Sequence, residues 1–312
     1  MNIAIIGEKD SGKTTFLILL YAAQIKYSDV SEGEFRFYIN PQSIKIISEE
    51  YNRMLLGSWP SDKLITCVDG ISFLYGREDS SAINSIMKIF GKPKSIPTIT
   101  LNFSIYDFSD SELSEIVNSN IMKFMNISKR VESLLSTRVL IIIIDSSKLK
   151  RTRFSQEKAK KMVADQNIEA GKNSDTYISN ALTNISRYNR DIIYPIFVFT
   201  KFDLIDPRVL FDLKLPKKPP AINNLTNRKK FAERLLTKFY PNTLKMIKGD
   251  KKMNYDGHCF FTKIATQKNL DGSLSPALKP KREFGYELDC SYQEFNGFIE
   301  YIENISELVE NK

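Results

Sequence analysis

The chain has 312 residues, 42% hydrophobic and 26% charged, a balance that fits a globular protein and excludes a disordered or fibrous one. A net charge of +8 permits nucleic acid or an anionic membrane surface as a partner without demanding either. Three scattered cysteines, Cys67, Cys259 and Cys290, exclude a disulfide framework, and the longest apolar runs, Phe16 to Ala23 and Val139 to Ile144, fall far short of a membrane span.

The first element is a short apolar run, Ile3-Ala4-Ile5-Ile6, which reads as a buried strand. Because this run opens the sequence, no secretory leader is expected, and a reducing, cytoplasmic setting is expected. The next eight residues, Gly7-Glu8-Lys9-Asp10-Ser11-Gly12-Lys13-Thr14, match G-x-x-x-x-G-K-[ST], a phosphate-binding loop, and a helical stretch follows from Thr15 to Gln24. Backbone N–H groups of such a loop point inward, and the helix N-terminus behind them adds partial positive charge. Lys13 is expected to reach the β/γ oxygens of a nucleoside triphosphate, and the Thr14 hydroxyl to ligate Mg²⁺. Gly7, Lys9, Asp10, Ser11, Gly12, Lys13, Thr14 and Thr15 form the expected phosphate-binding set.

Leu64 to Val68 and Ile71 to Tyr75 flank Asp69-Gly70, a hairpin signal that predicts an antiparallel edge to the sheet. Ile83, Ile86, Met87 and Phe90 have helical spacing. Thr98 to Tyr106 alternates apolar and polar residues, as a strand near a sheet edge does, and ends at Asp107. Val139 to Ile144 is a second buried strand, ending at Asp145. Asp107 and Asp145 are rival second metal ligands, since each carboxylate stands at a strand end.

Lys148, Lys150, Arg151, Arg153, Lys158, Lys160 and Lys161 form the densest basic stretch, read as solvated surface. Helices are predicted from about Asp175 to Tyr188 and from Arg228 to Tyr240, the latter stopping before Pro241. Between them the strand Ile196 to Phe199 leads into Thr200-Lys201-Phe202-Asp203. This segment resembles the [NT]-K-x-D guanine-specificity motif, which implies that the Asp203 carboxylate offers two acceptors to the adjacent N–H donors of guanine, which adenine does not present, and that the Lys201 stem can pack over the base. Cys259 to Phe261 is a last short strand, ending at Thr262-Lys263. His258 and Trp59, each the sole residue of its type, are read as structural. The final helix carries a capping box, Ser291 and Glu294, and an apolar stripe from Phe295 to Val309.

Strands alternating with helices make the class α/β. The loop at residues 7 to 14, the Asp107 strand end and the T-K-x-D turn, in this order, resemble the Ras-like small GTPases of the translation-factor-related P-loop class. Asp10-Ser11-Gly12-Lys13-Thr14 is similar to the loop of the signal-recognition-particle receptor beta subunit. The size, the insertions and Gly57-Ser58-Trp59-Pro60 look more like the enlarged GTPases of bacteria and archaea. The partitioning-ATPase class does not fit, because its signature lysine would fall at Glu8.

The resemblance implies one enlarged G domain over residues 1–312. Its central, mostly parallel sheet would have one antiparallel edge strand and helices on both faces, with insertions at 28–63, 77–97, 146–173 and 207–227. It gives the metal role to Asp107 and a structural one to Asp145, and makes Thr262 and Lys263 a poor match to the element that contacts the guanine O6. Ser61 and Thr66 are candidates for the switch threonine, Ser61 as a further Mg²⁺ ligand. It implies Mg²⁺ as cofactor, GTP or GDP as ligand, a molecular switch with slow hydrolysis, and a protein effector or activating partner.

Three departures bear on hydrolysis. D-x-x-G becomes Asp107-Phe108-Ser109-Asp110, which puts a carboxylate where a glycine N–H senses the γ-phosphate. The water-orienting glutamine falls at Ser111, and the third loop residue is Lys9. Arg151 or Arg153 could supply an arginine in cis. A nucleotide-binding scaffold without hydrolysis and a P-loop ATPase or kinase are the competing functions.

Overall fold

Runs of branched apolar residues too short for helices become strands buried along their length. In the computed structural model this holds for Val139–Asp145 (β5) and Tyr194–Thr200 (β6), where every residue is buried. The structure describes residues 1–28, 35–39, 41–61, 71–77, 98–108, 110–118, 128–151, 166–281 and 285–310. It is an α/β fold with a mostly parallel central sheet. The other main strands are Asn2–Gly7 (β1), Phe35–Ile39 (β2), Ile71–Arg77 (β3), Thr98–Asp107 (β4) and Cys259–Phe261 (β7). They are hydrogen-bonded in the order β2-β3-β4-β1-β5-β6-β7.

β5, β6 and β7 pair in parallel, with Asp145 opposite Thr200 and Phe199 opposite Phe261. Asn102 N–H donates to the Met1 carbonyl and Phe108 N–H to that of Gly7, so β4 runs parallel to β1. β3 is antiparallel to both β2 and β4. This corrects the expected single antiparallel strand at the edge. The reversed strand lies one place in, and β2, in a stretch read as an insertion, pairs along its outer side. An open strand edge invites such pairing. Residues 62–70 and 78–97, which hold one arm of the expected hairpin and the helix at Ile83 to Phe90, lie outside the described residues.

The chain divides into two compact units. One comprises Ala4–Lys13 and Ile105–Ile264. Its core joins Ile6, Tyr106, Leu140, Ile142, Ile144, Phe197 and Phe199 from the strands. Helices add Ile178, Leu182 and Ile185 from one helix, Phe231 and Leu235 from a second, and Leu244 and Ile247 from a third, among others. The helices here are Ser111–Asn118 (α3), Lys129–Leu135 (α4), Gln166–Tyr188 (α5), Pro207–Asp212 (α6), Leu225–Phe239 (α7) and Pro241–Gly249 (α8). α5 begins earlier than the expected start near Asp175. Pro241 does end α7, and it also opens α8 at the first helical position, where its missing N–H costs nothing.

The other unit comprises Met1–Ile3, Thr14–Ser104 and Ala265–Lys312. It holds most of Lys13–Ser28 (α1), then Pro41–Leu55 (α2) and Tyr292–Glu310 (α9). Two small hairpin pairings complete it, Thr266–Lys268 (β8) with Leu274–Pro276 (β9) and Leu278–Pro280 (β10) with Tyr286–Leu288 (β11). Phe16 packs against Phe295 and Phe298 with ring centroids 5.5 and 5.2 Å apart. Trp59 donates its indole N–H to the Leu274 carbonyl at 2.8 Å, a loop anchor as expected.

Candidate functional site

Residues Gly7 to Gly12 turn sharply because their backbone leaves no alternative. A side chain at Gly7 would lie 2.9 Å from the Ile143 carbonyl and from Ser11 Oγ, so only glycine fits. Gly12 has φ +90, a conformation that favours glycine. Asp10 adopts φ 61, tolerated by a short polar side chain, and Ser11 N–H donates to the Glu8 carbonyl at 3.2 Å. Ser11 is 1% exposed, and its Oγ is buried without a hydrogen-bond partner.

Lys13 opens α1, buried to 3% exposure. Its Nζ donates to the carbonyls of Gly7 at 3.0 Å and Glu8 at 2.6 Å, and to Asp107 Oδ1. Burial pulls the ammonium below its ordinary pKa, while the Asp107 hydrogen bond and the charges of Asp107, Asp110 and Asp10 oppose that shift. Lys13 and Asp107, 94 residues apart in sequence, are thus a buried ion pair. Lys9 is exposed in the loop, and Thr14 and Thr15 are half-buried in the first turn of α1.

The turn after β6 is held to this loop. Thr200 Oγ1 donates to the Ser11 carbonyl at 2.6 Å, and the Thr200 side chain stands against Gly12. Lys201, with φ 49, reaches the Asp10 carbonyl and the Asp145 carboxylate, both at 2.7 Å. Asp145 is thereby the partner of Lys201, not of Lys13. It also accepts from the N–H and Oγ of Ser147, capping the turn at Ser146–Lys148. Asp203 is exposed on the following single turn, Phe202–Leu204. Thr262, buried after β7, accepts from Phe202 N–H at 3.2 Å and donates its own N–H to Phe199 at 2.8 Å. Lys263 is exposed. Gly7, Asp107, Asp145, Thr200 and Phe261 therefore bring one group each to the carboxyl ends of β1, β4, β5, β6 and β7, the end where open α/β sheets bind ligands.

The remaining candidates have surroundings of their own. Ser61 donates its N–H and Oγ to Glu50 at 2.6 and 2.5 Å. Arg151, largely exposed, pairs with Asp212 at 2.9 Å. Ser111 is the first residue of α3. Thr66 and Arg153 lie outside the described residues. His258 pairs with Asp256 at 2.7 Å.

Three side chains have partners for which the sequence carried no signal. Glu8, inside the loop, accepts from Lys148 and from Ser174 on α5. Lys201 finds Asp145 across 56 residues. Asp110 does not stand alone, because its Oδ2 accepts from Asp107 N–H at 2.9 Å and lies 3.4 Å from the Arg130 guanidinium.

No family model matches the chain, and no curated protein matches its sequence. Among the described residues, no helix is long and apolar enough to cross a membrane, and no group of three or more His, Cys, Asp or Glu residues could hold a metal by itself.

Proposed function

We propose that this chain is a Mg²⁺-dependent guanine-nucleotide-binding G domain that acts as a molecular switch and hydrolyses GTP slowly. The observation that carries the reading is the joining of three separate segments: Thr200 and Lys201 bond to the carbonyls of Ser11 and Asp10, and Phe202 bonds to Thr262. A base read by Asp203 would lie beside a phosphate chain cradled by Gly7 to Lys13. The buried, unpartnered Ser11 Oγ and the two glycine positions fit a loop built to close on an anion.

In this reading Lys13 exchanges the Gly7 and Glu8 carbonyls for β/γ oxygens, and the loop N–H groups bind the phosphates. Lys201 packs over the base, and Asp203 accepts from its N1–H and N2–H₂. Thr14 and Asp107 would hold Mg²⁺, which when bound neutralises charge on the phosphates. A switch also implies an effector or activating protein, and the cytoplasm is the compartment that fits. A scaffold that binds guanine nucleotide without hydrolysing it is the second reading, favoured by Ser111 where a water-orienting glutamine belongs.

Two measurements test the proposal. Chromatography of the nucleotide retained by the purified protein should find GDP or GTP. In competition titration GTP should win over ATP, and Asp203→Asn should cost about 1–3 kcal/mol of guanine affinity by setting a donor against donors. That variant should favour xanthine nucleotides instead. Equal wild-type affinity for ATP and GTP overturns the base assignment.

A further inference from the structure

The Asp107–Asp110 turn is closed on itself. Asp110 N–H donates to the Asp107 carbonyl at 2.9 Å, and Asp110 Oδ2 accepts the Asp107 N–H at 2.9 Å. The group expected to sense a terminal phosphate, the backbone N–H at position 110, is engaged inside the turn, and a carboxylate stands beside it. The same Oδ2 faces Arg130 at 3.4 Å. Arg130 also donates to the Ile105 carbonyl at 2.9 Å, its guanidinium lies 5.1 Å from the centroid of the Tyr106 ring, and its carbonyl accepts from Tyr106 Oη at 2.8 Å. Tyr106 is itself fully buried. The arginine is thus fixed by the last residues of β4 and presented to Asp110.

Charge makes this arrangement consequential. Asp107 Oδ1 is bound to Lys13, and Asp110 is bound to the backbone N–H of that same aspartate, so the Asp110 carboxylate belongs to the residue pair that meets the phosphate-loop lysine. An uncompensated aspartate there would repel a terminal phosphate, and like charges brought together in a partly desolvated site cost several kcal/mol. A planar guanidinium, permanently charged and fixed in orientation, offsets that charge better than lysine could.

We propose that Arg130 is a positioning residue for triphosphate recognition, neutralising Asp110 and holding the Asp107–Asp110 turn so that the site accepts a γ-phosphate despite the carboxylate. The inference rests on the nucleotide-binding reading above. It predicts a specific asymmetry. Arg130 acts through Asp110 on the place of the terminal phosphate, so its loss should penalise a triphosphate and spare a diphosphate. A merely structural arginine would affect both alike.

The test is displacement of a fluorescent GDP analogue by GDP and by a non-hydrolysable GTP analogue, with Mg²⁺ present. Wild type, Arg130→Gln, Asp110→Asn and the double variant are compared, with thermal melting of each. Arg130→Gln should lower triphosphate affinity roughly tenfold, about 1.4 kcal/mol, while diphosphate affinity changes little. Adding Asp110→Asn should restore it, because the repelling charge is gone. An equal loss for both nucleotides, or no recovery in the double variant, overturns the proposal while leaving nucleotide binding intact. If Arg130→Gln does not fold, Asp110→Asn alone decides: removing the carboxylate leaves the Arg130 charge uncompensated, so the triphosphate-to-diphosphate preference should rise, and an unchanged preference overturns the role. Failure of the wild type to bind any guanine nucleotide overturns this proposal together with the reading beneath it.

Discussion

Lys13, Asp107 and Asp145 are three buried charges whose removal should have separable effects. Lys13→Ala removes the cation expected at the β/γ oxygens and leaves Asp107 buried without its partner, so nucleotide affinity should fall at least roughly tenfold. Asp107→Ala should abolish the Mg²⁺ dependence of binding. Asp145→Ala should preserve that dependence and weaken guanine affinity instead, because Lys201 loses its ion pair. Titration of each variant with and without Mg²⁺ checks this; loss of the Mg²⁺ effect in Asp145→Ala alone would reverse the assignment. Cys290 supplies a test of a different kind. Burial pushes its thiol up to about 12, against an ordinary value of 9.0. The native state then holds more protons than the unfolded one between those values. This contribution to stability is full below pH about 9 and is lost as pH rises toward about 12. Alkylation of Cys290 at pH 9, followed by mass spectrometry, should require prior unfolding, and rapid labelling of the native protein would contradict it.

At the scale of elements, two aspartates cap helices by different routes. Asp206 is the N-cap of α6, accepting from Arg208 N–H just before Pro207 at the first position. Arg208 bonds, from side chain and backbone, hold its carboxyl down to about 2, below the ordinary 3.8. The stability it lends is present above pH about 4 and lost as pH falls through about 2. The melting-temperature loss in Asp206→Ala should therefore shrink as pH is lowered across that window. Asp175 does more, because it caps α8 from α5. Its two oxygens accept the N–H groups of Asn242 and Thr243 at 3.0 and 2.8 Å, and it is 3% exposed. Asp175→Ala leaves two buried donors unpaired and should cost about 2–4 kcal/mol in denaturant unfolding. A cost below about 1 kcal/mol would mean that water reaches the helix end.

For the whole molecule, hydrolysis should be slow. Ser111 cannot orient water as a glutamine does, Asp110 N–H is engaged within its turn, and Arg151 is paired with Asp212 on the surface. A single-turnover assay should give a rate near that of an unassisted small GTPase, about 10⁻⁴ to 10⁻³ s⁻¹. A rate above roughly 0.1 s⁻¹ would require a catalytic group other than these. The excess positive charge is spread along the chain, and several of its members are already paired: Lys148 with Glu8, Lys248 with Glu233, Lys279 with Glu287. Binding to RNA, DNA or anionic vesicles should accordingly fade between low and physiological salt. Sequence-specific binding that survives physiological salt would overturn that expectation.

The sequence alone determined the strands β1, β5, β6 and β7, because a continuous branched apolar run too short for a helix has one way to be buried. It also determined the loop at Gly7 to Lys13, whose glycines answer local backbone needs, and the end of α7 at Pro241. The helix α2 was legible in Ile44, Ile47 and Met54, and β2 in the alternation of Phe35-Arg36-Phe37-Tyr38-Ile39 between turn residues. Both fall in a stretch read as an insertion, because pairing depends on a distant strand edge. Tertiary structure decided which charges meet. Lys13 with Asp107, Lys201 with Asp145 and Arg130 with Asp110 are 94, 56 and 20 residues apart. Nothing in the local pattern around Lys129-Arg130-Val131 separates a solvated helix residue from one fixed against Tyr106. A carboxylate or guanidinium carries no periodic signal of its partner, since charge pairing is set by where strand ends converge.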